Sequence, residues 1–231
     1  MTLSRRRFLA AAGATGVVGL AGCLGSSETM PDGPVTKAPV PKSPGDYTYA
    51  TMGDGGKPVV TYIGNWKCVY CAAFSTNYLK DIVTKYVEPG KLSLEFRSWP
   101  NLIGPDDVRA ARAGLAVWNV DPKTYWTYHE YVMANQPPES QEWATTDKLV
   151  SFAESAGVSN PEAVRRALED GTYQQPVQAN RQYIEKLRRR YPELRGTPAL
   201  IVDGTFVPPI RDREGNPTEE VKQALQRVAE N

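Results

Sequence analysis

Residues 58–71 read Pro58-Val59-Val60-Thr61-Tyr62-Ile63-Gly64-Asn65-Trp66-Lys67-Cys68-Val69-Tyr70-Cys71. The run Pro58 to Ile63 is β-branched and aromatic, so it reads as a strand. A four-residue loop, Gly64 to Lys67, leads to two cysteines three apart. Beyond them Phe74, Tyr78, Leu79, Ile82, Val83 and Tyr86 recur at three- and four-residue spacing, one apolar face of a helix. Pro89-Gly90 ends that helix. Leu92 to Trp99 then alternates as a second strand. Strand, helix, strand implies a parallel pair with a right-handed crossover.

Residues 105–191 contain no strand signal. Helices are expected over Val108–Trp118, Lys123–Asn135, Thr146–Ala156, Pro161–Leu168 (capped by Asn160) and Pro176–Tyr191. The last ends in Arg188, Arg189 and Arg190, cations that suit a helix C-terminus and read as a solvated helix end. Strands return at Ala199–Val202 and Thr205–Val207, joined by Asp203-Gly204, a tight hairpin turn. Pro208-Pro209 closes that edge, and a final helix spans Thr218–Ala229. The order is β, α, β, a helical block, β, β, α.

Cys68 falls where a helix begins. Free backbone N–H groups and the helix dipole favour negative charge there, so its thiol pKa should fall and its thiolate fraction rise. Cys68 is therefore the expected nucleophile of thiol–disulfide exchange, and Cys71, one turn further in, the resolving thiol. Other readings of the pair fare less well. A c-type haem site needs His after the second Cys, where Ala72 stands. A structural zinc needs four ligands. Two thiolates and His129 would leave a copper site thin. A purely structural disulfide would close a very short loop and constrain the unfolded chain little. His129, the only histidine, sits among Tyr125, Trp126, Tyr128 and Tyr131 and reads as a packing residue.

The N-terminus carries an address. Arg5, Arg6 and Arg7 precede a weakly apolar, Ala- and Gly-rich stretch, Phe8 to Gly22, too short for a comfortable membrane span. The arginines resemble a twin-arginine export signal. Leu20-Ala21-Gly22-Cys23 resembles a lipobox, in which Cys23 is lipidated and becomes the mature N-terminus. Residues 1–22 are thus expected to be a signal peptide. Residues 23–46, rich in Pro, Gly, Ser and Thr, are expected to be a lipidated cysteine and a disordered tether. The folded domain is expected over 47–231, with a helical insertion at about 104–192. The chain has 27 basic and 26 acidic residues. With three arginines and no acid in the first 22, the balance from Cys23 onward is −2, which gives no footing for nucleic acid.

Asn65 to Phe74 resembles the active-site region of DsbA-like thioredoxin-fold proteins. Arg195-Gly196-Thr197-Pro198-Ala199-Leu200-Ile201-Val202-Asp203-Gly204 resembles that family's Gly-Thr-Pro loop and following strand. The helical block matches its helical insertion. The resemblance covers about residues 47–230 and implies an α/β thioredoxin fold with the insertion between the first βαβ unit and the C-terminal ββα unit. It implies a cis Pro198 against the redox pair, with the backbone of Thr197 and Pro198 binding an extended substrate strand. Trp66, Lys67, Val69 and Tyr70 flank the pair and are expected to tune the thiolate. Two departures stand out. Strongly oxidising relatives carry Pro-His between the cysteines, where this chain has Val69-Tyr70. Many relatives place a buried acid six residues before the first cysteine, where this chain has Tyr62.

The resulting expectation is an extracytoplasmic, lipid-anchored thiol–disulfide oxidoreductase acting on cysteines of exported proteins and forming disulfides. It needs no cofactor beyond the Cys68–Cys71 disulfide, no metal, and a membrane or soluble redox partner. The alternatives are a reductase or isomerase recycled by a membrane partner, and a non-catalytic binding module that uses the same groove.

Overall fold

The computed structural model describes residues 28–56 and 58–230. A five-stranded sheet has the order β1-β3-β2-β4-β5, with β1 Thr51–Met52, β2 Val59–Gly64, β3 Ser93–Ser98, β4 Ala199–Val202 and β5 Thr205–Val207. β2 and β3 are parallel, in register Val60↔Leu94 and Tyr62↔Phe96. β4 runs antiparallel to β2, pairing Leu200 with Tyr62. β5 returns beside β4 through Asp203 and Gly204, both at positive φ (48° and 69°), the backbone a two-residue hairpin turn demands. This is the α/β thioredoxin fold expected from the sequence.

β1 was not expected. It pairs antiparallel with the outer edge of β3 through two residues, too few for alternation to register.

The helix after β2, α1, spans 69–87. It is α-helical at Val69–Phe74 and Lys80–Ile82, and widens into π turns at Ser75–Leu79 and Val83–Val87. Phe74, Leu79, Ile82, Val83 and Val87 form its buried face. Between β3 and β4 the chain passes through α2 Asp107–Val120, α3 Tyr125–Asn135, α4 Thr146–Ser155, α5 Pro161–Glu169 and α6 Gln174–Arg190. Asn160 caps α5 as expected, accepting from the Ala163 N–H, whereas the cap of α4 is Thr145. The C-terminal helix α7 is Glu219–Glu230.

The strand period sorts the core. Val60, Tyr62, Leu94, Phe96, Leu200 and Val202 face α1, α7 and the helical block, forming the larger cluster. Ile63, Ala199 and Ile201 face the other way, onto Ile184 and Leu187 of α6.

The expected tether needs correction from residue 28 onward. Val35 is buried in the larger core, and the Gly53 N–H donates to the Pro39 carbonyl. Glu28 meets Tyr131 and Lys148, the Thr29 N–H donates to Asn135, and the Thr127 hydroxyl donates to the Thr36 carbonyl. One apolar anchor and a row of hydrogen bonds supply what composition alone does not reveal. Cys23, the arginine motif and the rest of residues 1–27 lie outside the described residues.

Candidate active site

The site lies where β2 ends. Gly64 to Lys67 turn the chain off the sheet, and Cys68 caps the N-terminus of α1 with extended backbone (φ −74°, ψ 118°). Its carbonyl accepts the Ala72 N–H at 3.1 Å, the first bond of the helix. Both cysteines are free thiols in this structure. Cys68 keeps a small exposure of 5%, and Cys71 has none.

That difference sets their chemistry. The Cys71 S–H, then the Thr197 hydroxyl and the backbone N–H groups of Cys71 and Tyr70, favour the Cys68 thiolate. They outweigh burial and bring its pKa down to about 7. Burial pushes Cys71 well up, and the neighbouring Cys68 pushes the same way. One thiol is thus poised as nucleophile while the other stays protonated.

The Thr197–Pro198 peptide bond is cis, and the Thr197 carbonyl accepts from the Cys68 thiol at 3.3 Å. The structure therefore brings Cys68, Cys71, Thr197 and Pro198 to one place from two segments about 130 residues apart. Val69 and Tyr70 stand at the rim. Val69 is exposed, and the Tyr70 hydroxyl accepts from Arg213 Nε at 3.1 Å.

Trp66 and Lys67 do something other than expected. Trp66 is buried, with its ring edges against Phe96, Tyr125, Tyr128 and His129, and it locks the loop onto α3. The Lys67 side chain is 1% exposed and its ammonium sits 2.6 Å from Asp106 Oδ1. Asp106 neutralises it and also accepts the Ala144 N–H at 3.0 Å. Lys67 is thus a buried structural ion pair, not a free charge beside the thiolate. Burial works to raise the Asp106 carboxyl, but Lys67 and the Ala144 N–H prevail and hold it below the usual carboxylate range.

Sequence reasoning missed three partners. Asn65 donates from its side chain to the Trp99 carbonyl (2.9 Å) and Asp107 Oδ2 (2.8 Å), and from its N–H to Cys71 Sγ (3.4 Å). Asp107 also accepts the N–H groups of Leu102 and Ile103. Gln136, at the end of α3, donates to the Cys68 carbonyl at 3.4 Å. The contacts that join Asn65 to Trp99 and Asp107, and Gln136 to Cys68, have no local signal, because they span 34, 42 and 68 residues. His129 is fully buried against Tyr62, Trp66, Phe96 and Trp126, with Nδ1 3.1 Å from Glu130. Among the described residues no three His, Cys, Asp or Glu side chains converge on a metal-sized site, and no helix is long and apolar enough to cross a membrane.

A family model described as thioredoxin matches residues 50–227. The disulfide bond formation protein D of Bacillus subtilis is 25% identical over 179 residues, covering 76% of this chain and 75% of the relative. The probable disulfide bond formation protein D of Bacillus cereus is 27% identical over 164 residues, covering 70% and 73%. The crystal structure of oxidised BdbD from Bacillus subtilis superposes with a TM-score of 0.64 at 21% identity, covering 85% of this chain and 99% of that one. Chlamydia trachomatis DsbA superposes with a TM-score of 0.64 at 20% identity, covering 79% and 92%.

Proposed function

The chain belongs to the thioredoxin family and is a thiol–disulfide oxidoreductase of the DsbA-like kind, and on that footing we propose that it forms disulfides in exported proteins through Cys68 and Cys71. The carrying observation is the asymmetry of the pair. Cys68, lowered to about 7 at a helix start, faces the Thr197 carbonyl, and Cys71 lies buried behind it.

In the disulfide state a substrate thiolate attacks Cys68 Sγ. The Cys68–Cys71 bond breaks and Cys71 leaves with the electron pair and takes up a proton. A second substrate thiolate then attacks the substrate sulfur of the mixed disulfide and releases Cys68 as thiolate. The substrate loses two electrons, which the dithiol carries to a redox partner. The edge at Thr197 and Pro198 holds the substrate as an added strand. Residues 1–22 act as a twin-arginine signal, and Cys23 carries the lipid that holds the folded domain, of which residues 28–46 are part, at the extracytoplasmic face of the membrane. Two acyl chains suffice for stable anchoring.

A Cys68 pKa of about 7 stabilises the dithiol less than the roughly 3.5 of strong oxidants, so this protein is a milder one. Equilibration with glutathione tests the direction. A potential above roughly −200 mV supports disulfide donation, and a value near roughly −270 mV makes the protein a reductant. A pair that does not exchange leaves only the binding-module reading. In cells, a mostly oxidised pair supports the oxidase and a mostly reduced pair the reductase.

A further inference from the structure

α6 buries Ile184 and Leu187 against Ile63, Ala199 and Ile201 of the sheet. Its other sides turn Arg181, Lys186, Arg188, Arg189 and Arg190 to solvent, and Arg195 in the loop that follows is exposed as well. Residues 181–195 set these six cations against two carboxylates, Glu185 and Glu193, a net charge of +4. Everything from Cys23 onward sums to −2, so the rest of that chain stands at −6. The excess positive charge of the molecule is thus gathered in one short stretch.

The helix dipole does not account for it. Its field favours cations only in the last turn, whereas Arg181 and Lys186 precede that turn and Arg195 follows it. Of the six, only Arg181 has an ion-pair partner among the described residues, Glu185. Two others are held in place without being neutralised. The Arg188 guanidinium carbon lies 5.6 Å from the centre of the Trp99 ring, and that of Arg190 lies 5.2 Å from the centre of the Tyr191 ring. Stacking uses the face of a guanidinium and leaves its N–H edge free for an oxygen acceptor. Tyr191 is itself fixed, since its hydroxyl donates to the Gly204 carbonyl.

Position gives the charge a use. β4 begins beside the end of β2, with Ala199 paired to Ile63, so the segment from α6 to β4 closes over the same end of the sheet as the cysteines. The Trp99 N–H donates to the Gly64 carbonyl at 2.7 Å, and the Trp99 carbonyl accepts the Asn65 side chain. Arg188 therefore rests on the residue that holds the cysteine loop. Arg195 stands two residues before Thr197, at most about 7 Å along an extended chain. A substrate strand added at Thr197 and Pro198 runs beside that stretch, and its continuation passes the cationic end of α6. Resting on the oxidoreductase reading, we propose that this end of α6, with Arg195, is a docking surface for acidic segments of the substrate protein that lie a few residues from its reacting cysteine. Opposite charge there raises the encounter rate and ranks one substrate above another. An anionic lipid surface carries matching charge but makes no use of the continuity with the Thr197 edge.

The test uses the full chain in its disulfide form and two dithiol peptides that differ only in carrying Asp or Asn triplets on either flank. At low ionic strength the parent should oxidise the Asp peptide about ten-fold faster in kcat/KM, and the preference should fall below about two-fold in about 0.5 M salt. Arg188→Gln, Arg189→Gln and Arg190→Gln together should bring the low-salt ratio within about three-fold, and a ratio cancels any general loss of activity. Lys42 lines a groove with Glu88 and Gly90 where α1 ends, and Lys91 precedes β3, so both lie at the far end of the sheet with Lys85. Changing these three to Gln removes the same charge and should leave the preference intact. Its loss there too would make it an effect of net charge and overturn the proposal. So would a parent preference under about two-fold at low salt. Anisotropy of the same peptides with Ser in place of Cys reads docking without chemistry. If the parent oxidises neither peptide, the oxidoreductase reading falls and anisotropy alone decides: tighter binding of the Asp peptide that the arginine variant loses keeps the surface, and equal binding removes it. A parent that shows no peptide preference but binds phosphatidylglycerol vesicles over phosphatidylcholine ones, and loses this with the arginines, has a lipid-docking face instead, which overturns the proposal.

Discussion

Two adjacent stretches of chain put their polar groups to different uses. The loop Asn65 to Lys67 is tied down: the Asn65 amide, the Lys67 ammonium, Asp106 and Asp107 Oδ2 are joined in one network, although Trp66 Nε1 and Asp107 Oδ1 are buried without a partner among the described residues. One turn later, the surroundings of Cys68 and Cys71 hold hydroxyls with no partner, on Tyr62 and Thr197. A connected network of buried hydrogen bonds and an ion pair holds a shape, whereas the two thiols are held apart in pKa by what surrounds them. The loop is therefore the mount and the cysteine turn the instrument. Experiments that exchange these roles would break the comparison.

The largest effects fall on the instrument. Cys68→Ser should reduce exchange to background, and Cys71→Ser should accumulate mixed disulfides through Cys68, visible as dithiothreitol-sensitive adducts on a non-reducing gel. Neither should lower the unfolding temperature of the dithiol form much. If Cys71→Ser gathers no adducts while folded, Cys68 is not the attacked sulfur.

Next comes the mount. Asp106→Ala leaves Lys67 charged, buried and alone, and should cost about 3–5 kcal/mol in denaturant unfolding. Because the Asp106 carboxyl is held below its ordinary pKa, its contribution is complete above that ordinary value. It is lost as pH falls through the lower folded value. The gap between parent and Asp106→Ala should therefore narrow in acid and hold at neutral pH. A gap under about 1 kcal/mol at pH 7 would place Lys67 in solvent instead.

How this pair escaped the sequence shows what such a reading can hold. Strand, turn, helix and strand over 58–99 were legible because each is written in its own residues: β-branched runs, helical spacing, Pro89-Gly90. The hairpin at Asp203-Gly204 and the Asn160 cap were legible for the same reason. The redox pair and the Gly-Thr-Pro loop were legible as motifs. Lys67 was misread because closeness to Cys68 in sequence says nothing of where a side chain points, and Asp106 lies 39 residues away. The two-residue β1 and the docking of residues 28–46 escaped likewise. The first exists only through its pairing with β3, and the second hangs on Val35 and distant hydrogen bonds.

A sharper test asks whether the mount tunes the instrument at all. Thiolate absorbance should rise with a midpoint of about 7 as Cys68 ionises. Replacing both partners, Lys67→Met with Asp106→Leu, removes the pair without stranding a charge, and such swaps are often neutral for stability. The midpoint should stay where it is, because the groups that lower it are the Cys71 thiol, Thr197 and backbone N–H groups. A rise of one unit or more would return Lys67 to the role its position in sequence suggested.

The smallest expected effect lies at the rim, which belongs to neither class. Arg213 donates to the Tyr70 hydroxyl in an exposed contact that water can replace on both sides. Arg213→Ala should therefore change stability by no more than about 0.5 kcal/mol. Exchange with a neutral peptide should be unchanged, since neither Arg213 nor Tyr70 is among the donors that bear on Cys71. An acidic peptide is the informative substrate. If its oxidation slows while the neutral peptide's does not, and added salt erases the difference, Arg213 selects among substrates by charge. If both slow alike, the Tyr70 contact shapes the turn that carries Cys68, and the line between mount and instrument runs through the rim.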